Sequence, residues 1–198
     1  MKRKFLEIAK EYEQYGIKAY EENADATAMW LIKNPQDYSV VVASNVFGDI
    51  LSDEASQLTG GLGFAPSGNI GVDAAIFEPS SGSVPKYAHK YRVNPSAMIL
   101  TAKMMLEYLG LDEDAKKIEK ALGEVLVESK PGTLTYDVLR DFRGDPDWEK
   151  NAASTIEMAT AIAQKINPEF KGAKLEAAKE KVHKMCAWDE KSLIGFAD

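Results

Sequence analysis

The chain has 198 residues, which is enough for one ordinary domain or for a domain together with part of another. Its hydrophobic content of 45% and charged content of 28% are ordinary for a globular protein and argue against disorder of the whole chain. A formal net charge of −7 argues against nucleic acid or an anionic membrane as the main partner, because both require clustered positive charge.

The cysteine content and the apolar runs indicate the cellular compartment in which the protein is expected. A single cysteine, Cys186, cannot form an intramolecular disulfide, which is typical of a reducing cytoplasm. The charged start of the chain has no apolar signal-peptide core, and no apolar run reaches the ~20 residues that a membrane-spanning helix needs. We therefore expect a soluble, cytoplasmic protein.

Two helices are predicted at the start of the chain. Residues 5–12 place apolar side chains on one helix face, and Gly16 ends that helix before a short extended piece over residues 17–20. Helical spacing returns over residues 25–32 and ends at Asn34-Pro35, because a residue before proline disfavours the helical conformation.

Two short apolar runs, residues 38–42 and 74–77, are the main strand candidates. The first is predicted to be a buried strand, and the acidic segment at residues 49–53 is predicted to start a helix after it. Glycine-rich residues 60–63 are predicted to be flexible, and residues 66–68 to form a turn before the second strand.

Helices dominate the predictions for the next part of the chain. Asn94 is predicted to cap a helix that ends at Gly110. Asp112 is predicted to cap the following helix, which ends at the Lys-Pro-Gly sequence of residues 130–132. A short element is predicted to begin over residues 133–140.

One more amphipathic helix and a charged tail complete the predicted elements. The apolar face of this helix, which ends near Ile166, is formed by Ala153, Ile156, Thr160 and Ala163. The tail contains a predicted charged helix over residues 175–185. Three or so strand candidates against at least six helices form too small a sheet to cover every helix face. The chain is therefore either mostly helical or completes a sheet whose other strands lie elsewhere.

Asp49 and Asp53 are candidate metal ligands. Side chains four residues apart share one face of a helix, so both carboxylates would lie together. A hard cation such as Mg²⁺ or Mn²⁺ prefers oxygen ligands of this kind and would remove the repulsion between the two charges. Alternatively, both acids complement the positive end of the helix dipole.

The basic loop after Glu78 is a candidate phosphate site. It concentrates cations in an acidic protein, namely Lys86, His89, Lys90 and Arg92. Lys86 and Tyr87, together with Tyr136 and Arg140, could bind a phosphate group, with about 1.5–3 kcal/mol for each charge-assisted hydrogen bond. The alternative is a solvated surface loop. The glycine-rich dinucleotide motif, the P-loop and a cysteine–histidine metal cluster are all absent from the sequence.

Residues 45–71, with Gly48-Asp49-Ile50-Leu51-Ser52-Asp53 at their centre, resemble the signature of the β-decarboxylating isocitrate and 3-isopropylmalate dehydrogenases. Residues 78–95 and Thr135-Tyr136-Asp137 resemble the segments that follow in that family. The resemblance implies an α/β fold, here a helix-rich partial α/β/α sandwich that is not a Rossmann fold. It also implies three regions: the end of the smaller domain, part of the large metal- and cofactor-binding domain, and a helical tail, over residues 1–35, 36–166 and 167–198.

The resemblance implies that Asp49 and Asp53 bind Mg²⁺ or Mn²⁺ held by a 2-hydroxy acid. Asp25 would reach the metal site of the other subunit in a dimer. The residues implied in cofactor binding are Glu78, Ser81, Gly82, Lys86, Tyr87, Asn94, Tyr136 and Arg140. Pro-Lys-Tyr at residues 85–87, with Tyr136 and Arg140, resembles enzymes that bind the 2′-phosphate of NADP, although NAD is possible.

The chain departs from the family pattern at two positions and in its extent. Ser81 stands where a histidine is usual, and His89 stands where glycine is usual. The serine, arginines, tyrosine and lysine that grip substrate and transfer protons lie upstream of the position matching Asp25, so the catalytic residues are unknown here. We therefore expect the C-terminal half of such an enzyme, acting as a homodimer or with a partner chain that carries the missing half.

The resemblance favours NADP-dependent oxidative decarboxylation of isocitrate to 2-oxoglutarate, a reaction of the tricarboxylic acid cycle. Isopropylmalate, homoisocitrate or tartrate is the alternative substrate. A non-catalytic nucleotide-binding subunit and a helical interaction domain are the alternatives of a different class.

Overall fold

The computed structural model describes residues 2–172 together with Ala177 and Glu180. Most of the predicted tail helix lies outside these residues. The chain divides into two compact units, Met1–Thr59 and Gly60–Asp198. The three regions predicted from the sequence stay a prediction. No helix among the described residues is long and apolar enough to cross a membrane.

The described part of the first unit is built from three α-helices. They are α1 at Lys2–Tyr12, α2 at Ala24–Lys33 and α3 at Asn45–Leu58. Helix α2 packs against α3, and the buried side chains of this pair are Thr27, Leu31, Leu51 and Ser56. Gly16 has φ of +79°, in the left-handed region that favours glycine, and it closes the 3₁₀ turn after α1 as predicted.

The buried strand predicted over residues 38–42 is wrong. These residues follow a 3₁₀ turn at Pro35–Asp37 and form no strand, and Val40, Val41 and Val42 are 84%, 45% and 55% exposed. A strand exists only when a neighbouring strand takes up its N–H and C=O groups, and none of the described residues does so here. The sequence pattern was that of a buried strand, but its partner is missing from the described chain.

The second unit begins with a two-stranded antiparallel sheet. Strand β1 at Pro66–Ile70 pairs with β2 at Ala75–Pro79. The predicted strand over residues 74–77 is confirmed, whereas the predicted turn over 66–68 is wrong. Both strands of such a ribbon are edges, where proline is tolerated. Gly68 lies opposite Phe77, and a Cβ at Gly68 would come within 3.1 Å of that ring, so the glycine serves packing rather than a turn.

Four more α-helices and a π-helical segment complete the described part. They are α4 at Ser96–Tyr108, α5 at Asp112–Glu128, the π-helical segment Val138–Arg143, α6 at Trp148–Asn151 and α7 at Thr155–Ile166. Asp112 is the first residue of α5 rather than its cap, because Leu111 occupies the cap position. Asn94 lies one residue before the cap position of α4, yet its Oδ1 accepts the Ser96 N–H as a cap would.

The core of the second unit joins α5, α7 and the segment between them. Its buried residues are Ala121, Leu122, Val125, Leu134, Val138, Met158 and Ile162. The deepest face of α7 is formed by Met158 and Ile162, while the predicted Ile156, Thr160 and Ala163 are half-buried beside it. Leu134 and Val138 anchor the residues between them, including Tyr136 and Asp137. The helix-rich α/β character predicted from the sequence is confirmed.

Candidate functional site

An aromatic–basic cluster brings together two distant segments of the second unit. It consists of Lys86, Tyr87, Arg92, Tyr136 and Arg140. The ring centroids of Tyr87 and Tyr136 are 5.5 Å apart. The guanidinium carbons of Arg92 and Arg140 each lie 5.5 Å from the Tyr136 ring centroid, and Lys86 Nζ lies 4.9 Å from that of Tyr87. Four of the predicted cofactor residues are therefore gathered in one place.

Local structure explains how the cluster residues are presented. Lys86 and Tyr87 belong to a 3₁₀ turn at Pro85–Tyr87. Tyr136 follows the fully buried Leu134 and Thr135, so the core fixes its backbone. Arg140 lies in the π-helical segment Val138–Arg143, a rare conformation that occurs often at functional sites.

The basic loop contains strained backbone. Val84, His89 and Tyr91 have φ of +43°, +58° and +50°, the left-handed region in which non-glycine residues cost on the order of 1–3 kcal/mol. His89 stands where the resembling family usually has glycine, and its positive φ explains why glycine suits that position. Such strain persists where surrounding contacts fix the loop and is typical of functional sites.

The two phenols of the cluster differ in acidity. A hydrogen bond with Tyr136 lowers the pKa of Tyr87, and the charges of the three neighbouring cations lower it further, against an opposing effect of burial. Burial, followed by the hydrogen bond with Tyr87, raises the pKa of Tyr136 to about 12. Tyr87 is therefore the phenol that ionises first, and Tyr136 stays a donor.

Arg140 is paired with its neighbour in sequence. Its Nε and Nη2 donate to the two oxygens of Asp141 at 2.6 and 2.9 Å. This bidentate pair lowers the pKa of Asp141 through the hydrogen bond first and the charge second. The Arg140 guanidinium also lies 5.7 Å from the Trp148 ring, and its side chain is 48% exposed. It is accessible to a ligand, but its charge is partly offset.

A second contact joins the predicted residue Asn94 to Asp137. Asn94 Nδ2 donates to Asp137 Oδ2 at 3.0 Å. A Cβ on Gly63 would come within 3.2 Å of both Asn94 Cβ and Asp137 Oδ2, so glycine permits this close approach. Asp137 Oδ1 is buried and has no hydrogen-bond partner among the described residues. An N–H donor of a bound ligand, such as an amino group of a nucleobase, would satisfy that oxygen.

The remaining predicted cofactor residues lie outside these contacts. Glu78 in β2 is exposed and accepts a hydrogen bond from Asn69 Nδ2 at 3.3 Å. Ser81 is half-buried and Gly82 exposed. No contact found among the described residues joins these three to the cluster.

The candidate metal ligands lie in the first unit. Asp49 and Asp53 are exposed on α3, one turn apart, and Asp25 is exposed in the first turn of α2. Within the described residues no three acids, histidines or cysteines are close enough to hold a metal, so the structure does not bring Asp25 to the other two. Helix α3 begins at Asn45 and has no acid in its first turn. The helix-dipole interpretation of Asp49 and Asp53 is therefore wrong, because that effect fades beyond the first turn.

Two contributors to the site, Asp137 and Trp148, were missed by sequence reasoning. Arg92 was noted among the cations of the basic loop but was not grouped with Tyr136 and Arg140, and Asp137 stood within a noted motif without a role. Trp148 carried no signal, and its ring centroid lies 6.2 Å from that of Tyr136. A cavity of about 430 Å³ opens beside Tyr136, and its charged lining residues are Lys90, Arg92, Glu149 and Glu157. Arg92 and Tyr136 are far apart in sequence and meet only in the folded structure, so no local sequence pattern predicts their contact.

Known proteins match both the sequence and the fold. A family model described as isocitrate/isopropylmalate dehydrogenase matches residues 1–162. The 3-isopropylmalate dehydrogenase of Methanothermobacter thermautotrophicus is 46% identical over 162 residues, or 82% of this chain and 44% of that protein. The NADP isocitrate dehydrogenase of Thermus thermophilus is 45% identical over 166 residues, or 84% of this chain and 31% of that protein.

The match extends to three dimensions. The crystal structure of the TT0538 protein of Thermus thermophilus superposes with a TM-score of 0.73 and 41% identity, over 88% of this chain and 35% of that one. Sequence and fold together place the chain among the β-decarboxylating dehydrogenases. It belongs to the isocitrate/isopropylmalate dehydrogenase family, and it spans less than half the length of these curated relatives.

Proposed function

We propose that the chain binds NADP and contributes to the metal-dependent oxidative decarboxylation of isocitrate to 2-oxoglutarate. The main support for this proposal is the aromatic–basic cluster. NADP differs from NAD by a phosphate on the adenosine ribose, a group with roughly two negative charges and three strong acceptor oxygens. Lys86, Arg92 and Arg140 supply positive charge around two phenols, whereas the ribose hydroxyl of NAD gives such cations little to bind.

The adenine end of the nucleotide is assigned to Asn94 and Asp137. Asp137 Oδ1, which is buried and has no hydrogen-bond partner in the part of the chain that the structure describes, would accept from an amino group, and Asn94 is held beside it. Ser81, Gly82 and Glu78 belong to the loop and strand that lead to the cluster and would face the rest of the nucleotide. Tyr136 stays protonated and can donate to a phosphate oxygen, because its pKa is raised to about 12.

The metal is assigned to Asp49 and Asp53 of one subunit with Asp25 of a second subunit. Two carboxylates alone provide fewer ligands than Mg²⁺ or Mn²⁺ takes, so substrate and a further acid complete the set. When bound, such a cation polarises the ketone formed by oxidation and stabilises the enolate left by loss of CO₂. The three aspartates are exposed and can therefore reach ligands outside their own unit.

We assign the groups that grip substrate and transfer protons to a partner chain that carries the other half of the enzyme, with a homodimer as the alternative assembly. The apolar residues 40–42 support this assignment. They have the composition of a buried strand, are exposed, and lack a neighbouring strand in the described part of the chain. A sheet supplied by that polypeptide would cover them.

A second candidate function keeps the mechanism and changes the substrate. The identity to a 3-isopropylmalate dehydrogenase, 46%, is as high as that to an NADP isocitrate dehydrogenase, 45%. A homoisocitrate dehydrogenase of Methanocaldococcus jannaschii is 49% identical over 127 residues. A non-catalytic nucleotide-binding role is the alternative of a different class.

A comparative assay tests the proposal. The purified chain is incubated with Mn²⁺ and with isocitrate, 3-isopropylmalate or homoisocitrate, each with NADP or NAD, and reduced nucleotide is followed by absorbance. Turnover of isocitrate with NADP supports the proposal, and preference for another acid replaces the substrate. A folded chain that binds NADP without turnover indicates a missing partner or a non-catalytic role, which co-purification with a second polypeptide distinguishes.

A further inference from the structure

The charge balance of the aromatic–basic cluster singles out one arginine. Arg140 is held by Asp141 in a bidentate pair, so part of its charge is already used within the protein. A phosphate that bound Arg140 would compete with this carboxylate. The discrimination between NADP and NAD therefore needs another cation whose N–H groups are free to bind the 2′-phosphate.

Arg92 meets this requirement. Its guanidinium carbon is 5.5 Å from the Tyr136 ring centroid, the same distance as that of Arg140. No ion pair or hydrogen bond of the Arg92 side chain is found within the described part of the chain. An arginine held over a ring keeps its five N–H donors in a fixed plane, and donors that the protein does not use are available to a phosphate.

The backbone around Arg92 is fixed on both sides. The Thr155 N–H donates to the Tyr91 carbonyl at 2.8 Å, and the Thr155 hydroxyl donates to the Val93 carbonyl. Thr155 is the first residue of α7, which packs into the core through Met158 and Ile162. Arg92 is thereby presented from a rigid helix end, which reduces the entropy lost when a ligand binds.

The cavity beside Arg92 has a lining of mixed charge. Lys90 and Arg92 are its cations, and Glu149 and Glu157 are its acids. Glu157 is engaged at the start of α7, where its Oε2 accepts the Ser154 N–H at 2.7 Å. The lining as a whole does not favour an anion, so the role of Arg92 depends on the guanidinium itself and on its place over the Tyr136 ring.

We propose that Arg92 is the second arginine of the 2′-phosphate site and carries the larger share of the preference for NADP over NAD, while Arg140 remains paired with Asp141. The inference rests on the proposed function and names one more specificity-determining residue for it.

Two small nucleotides test this role without any need for turnover. Isothermal titration measures binding of 2′,5′-ADP and of 5′-AMP, which lacks the 2′-phosphate, to the wild-type chain and to Arg92→Ala. We expect the wild type to favour 2′,5′-ADP by at least about tenfold, as one charge-assisted hydrogen bond would give. Arg92→Ala should remove most of that preference and leave 5′-AMP affinity unchanged. Arg140→Ala should remove less.

Matched variants separate recognition from charge and folding. Lys116→Ala removes one positive charge from α5, where Lys116 pairs with Glu113, and should leave both affinities unchanged. Arg92→Lys should keep part of the preference, because it keeps the charge but loses the planar donors. Circular dichroism verifies the fold, and Arg92→Gln replaces Arg92→Ala if the alanine variant unfolds.

The outcomes distinguish the two proposals. If Arg92→Ala keeps the preference and Arg140→Ala abolishes it, the role of Arg92 is wrong and NADP binding stands. If Arg92→Ala weakens both nucleotides equally, Arg92 does not read the 2′-phosphate. If the wild type binds both nucleotides equally or neither, the proposed NADP site itself is wrong, and the role of Arg92 is wrong with it.

Discussion

Tyr136 connects the groups of the cofactor site at the scale of single residues. Its ring contacts two guanidinium groups and the Tyr87 ring, and its hydroxyl forms a hydrogen bond with that of Tyr87. The two arginines are not equivalent, because only Arg140 is paired with a carboxylate among the described residues. The acidity of the phenols and the pairing of Arg140 are therefore the quantities to measure at this scale.

The two tyrosines should titrate on opposite sides of the ordinary tyrosine pKa of 10.0. With ¹³Cζ-labelled tyrosine followed by NMR, we expect Tyr87 to titrate below 10.0 and Tyr136 near 12. Tyr136→Phe should move the Tyr87 pKa upwards, because it removes the largest cause of the lowering. Since the Tyr136 pKa is raised by folding, its stabilising contribution is present below pH 10.0 and is lost as the pH rises towards 12. Equal titration of both residues at 10.0 would contradict the contact.

Asp141 should compete with a bound phosphate for Arg140. Asp141→Asn removes the competing charge and should strengthen 2′,5′-ADP binding by about two- to fivefold, the size expected for an exposed ion pair. The 5′-AMP affinity should not change. Asp147→Asn serves as a control, because Asp147 pairs with Lys150 instead. Unaltered 2′,5′-ADP binding in Asp141→Asn would mean that Arg140 does not contact the phosphate.

At the scale of elements, the site depends on turns and helix ends rather than on a large sheet. Pro85–Tyr87, the π-helical segment Val138–Arg143 and the start of α7 each supply one part of it. The 3₁₀ turn Leu62–Phe64, which carries Gly63, approaches Asn94 and Asp137 so closely that a Cβ would force them to shift by a few tenths of an ångström. We therefore expect Gly63 to be needed for the hydrogen bond between Asn94 and Asp137.

Gly63→Ala should disturb the adenine end of the site. The added Cβ would lie 3.2 Å from Asn94 Cβ and from Asp137 Oδ2, so the 3.0 Å hydrogen bond between these residues should loosen. We expect weaker binding of 5′-AMP and 2′,5′-ADP by the same factor. In Gly123→Ala, where the new Cβ in α5 meets nothing within 4 Å, binding should persist and urea unfolding should show about 0.5–1 kcal/mol of added stability. Wild-type affinity in Gly63→Ala would refute the role of this approach.

The helices could be predicted from the sequence more fully than the strands. Periodicity and the stop signals at Gly16, Asn34 and Gly110 place α1, α2 and α4 to within a few residues, because those signals are local. Helix α3 begins at Asn45, four residues before its predicted start at Asp49. The strand predicted over residues 38–42 failed because a strand is defined by its neighbour, which the described chain lacks. Strand β1 was missed because Pro66 and Gly68 are usually turn residues.

The site could be predicted only in part, because several of its contacts join segments that are far apart in sequence. Lys86, Tyr87, Tyr136 and Arg140 were grouped as a candidate phosphate site from their charge and hydrogen-bonding capacity, the family resemblance pointed to the same residues, and the structure does bring them together. The contact of Arg92 with Tyr136 and the buried Asp137 Oδ1 depend on tertiary packing between segments far apart in sequence. No local pattern encodes such contacts.

At the scale of the whole molecule, the metal and cofactor candidates occupy different units. Asp25, Asp49 and Asp53 lie in Met1–Thr59, whereas the cluster lies in Gly60–Asp198. The described residues of one chain do not complete a metal site by themselves. We expect Asp25 of a second subunit to complete the metal site in the assembled protein, whereas nucleotide binding needs only one chain.

Asp49→Asn and Asp53→Asn should each abolish measurable Mn²⁺ binding while leaving the circular dichroism spectrum unchanged. The reason is that each variant leaves one carboxylate, too few oxygen ligands for a hard cation. Asp73→Asn, an exposed acid between β1 and β2, should bind Mn²⁺ as the wild type does. Electron paramagnetic resonance of free Mn²⁺ gives the affinity directly. Wild-type affinity in both α3 variants would rule out this metal assignment.

The most direct test of an NADP-specific cofactor site is the relative affinity of the purified wild-type chain for NADPH and NADH, measured by titration calorimetry at one salt concentration. We predict that NADPH binds at least about tenfold more tightly, because the phosphate meets the cations of the aromatic–basic cluster. Raising the salt concentration should reduce this difference, since the cluster is exposed. Equal affinity for the two nucleotides, or binding of neither by the folded chain, would contradict the account.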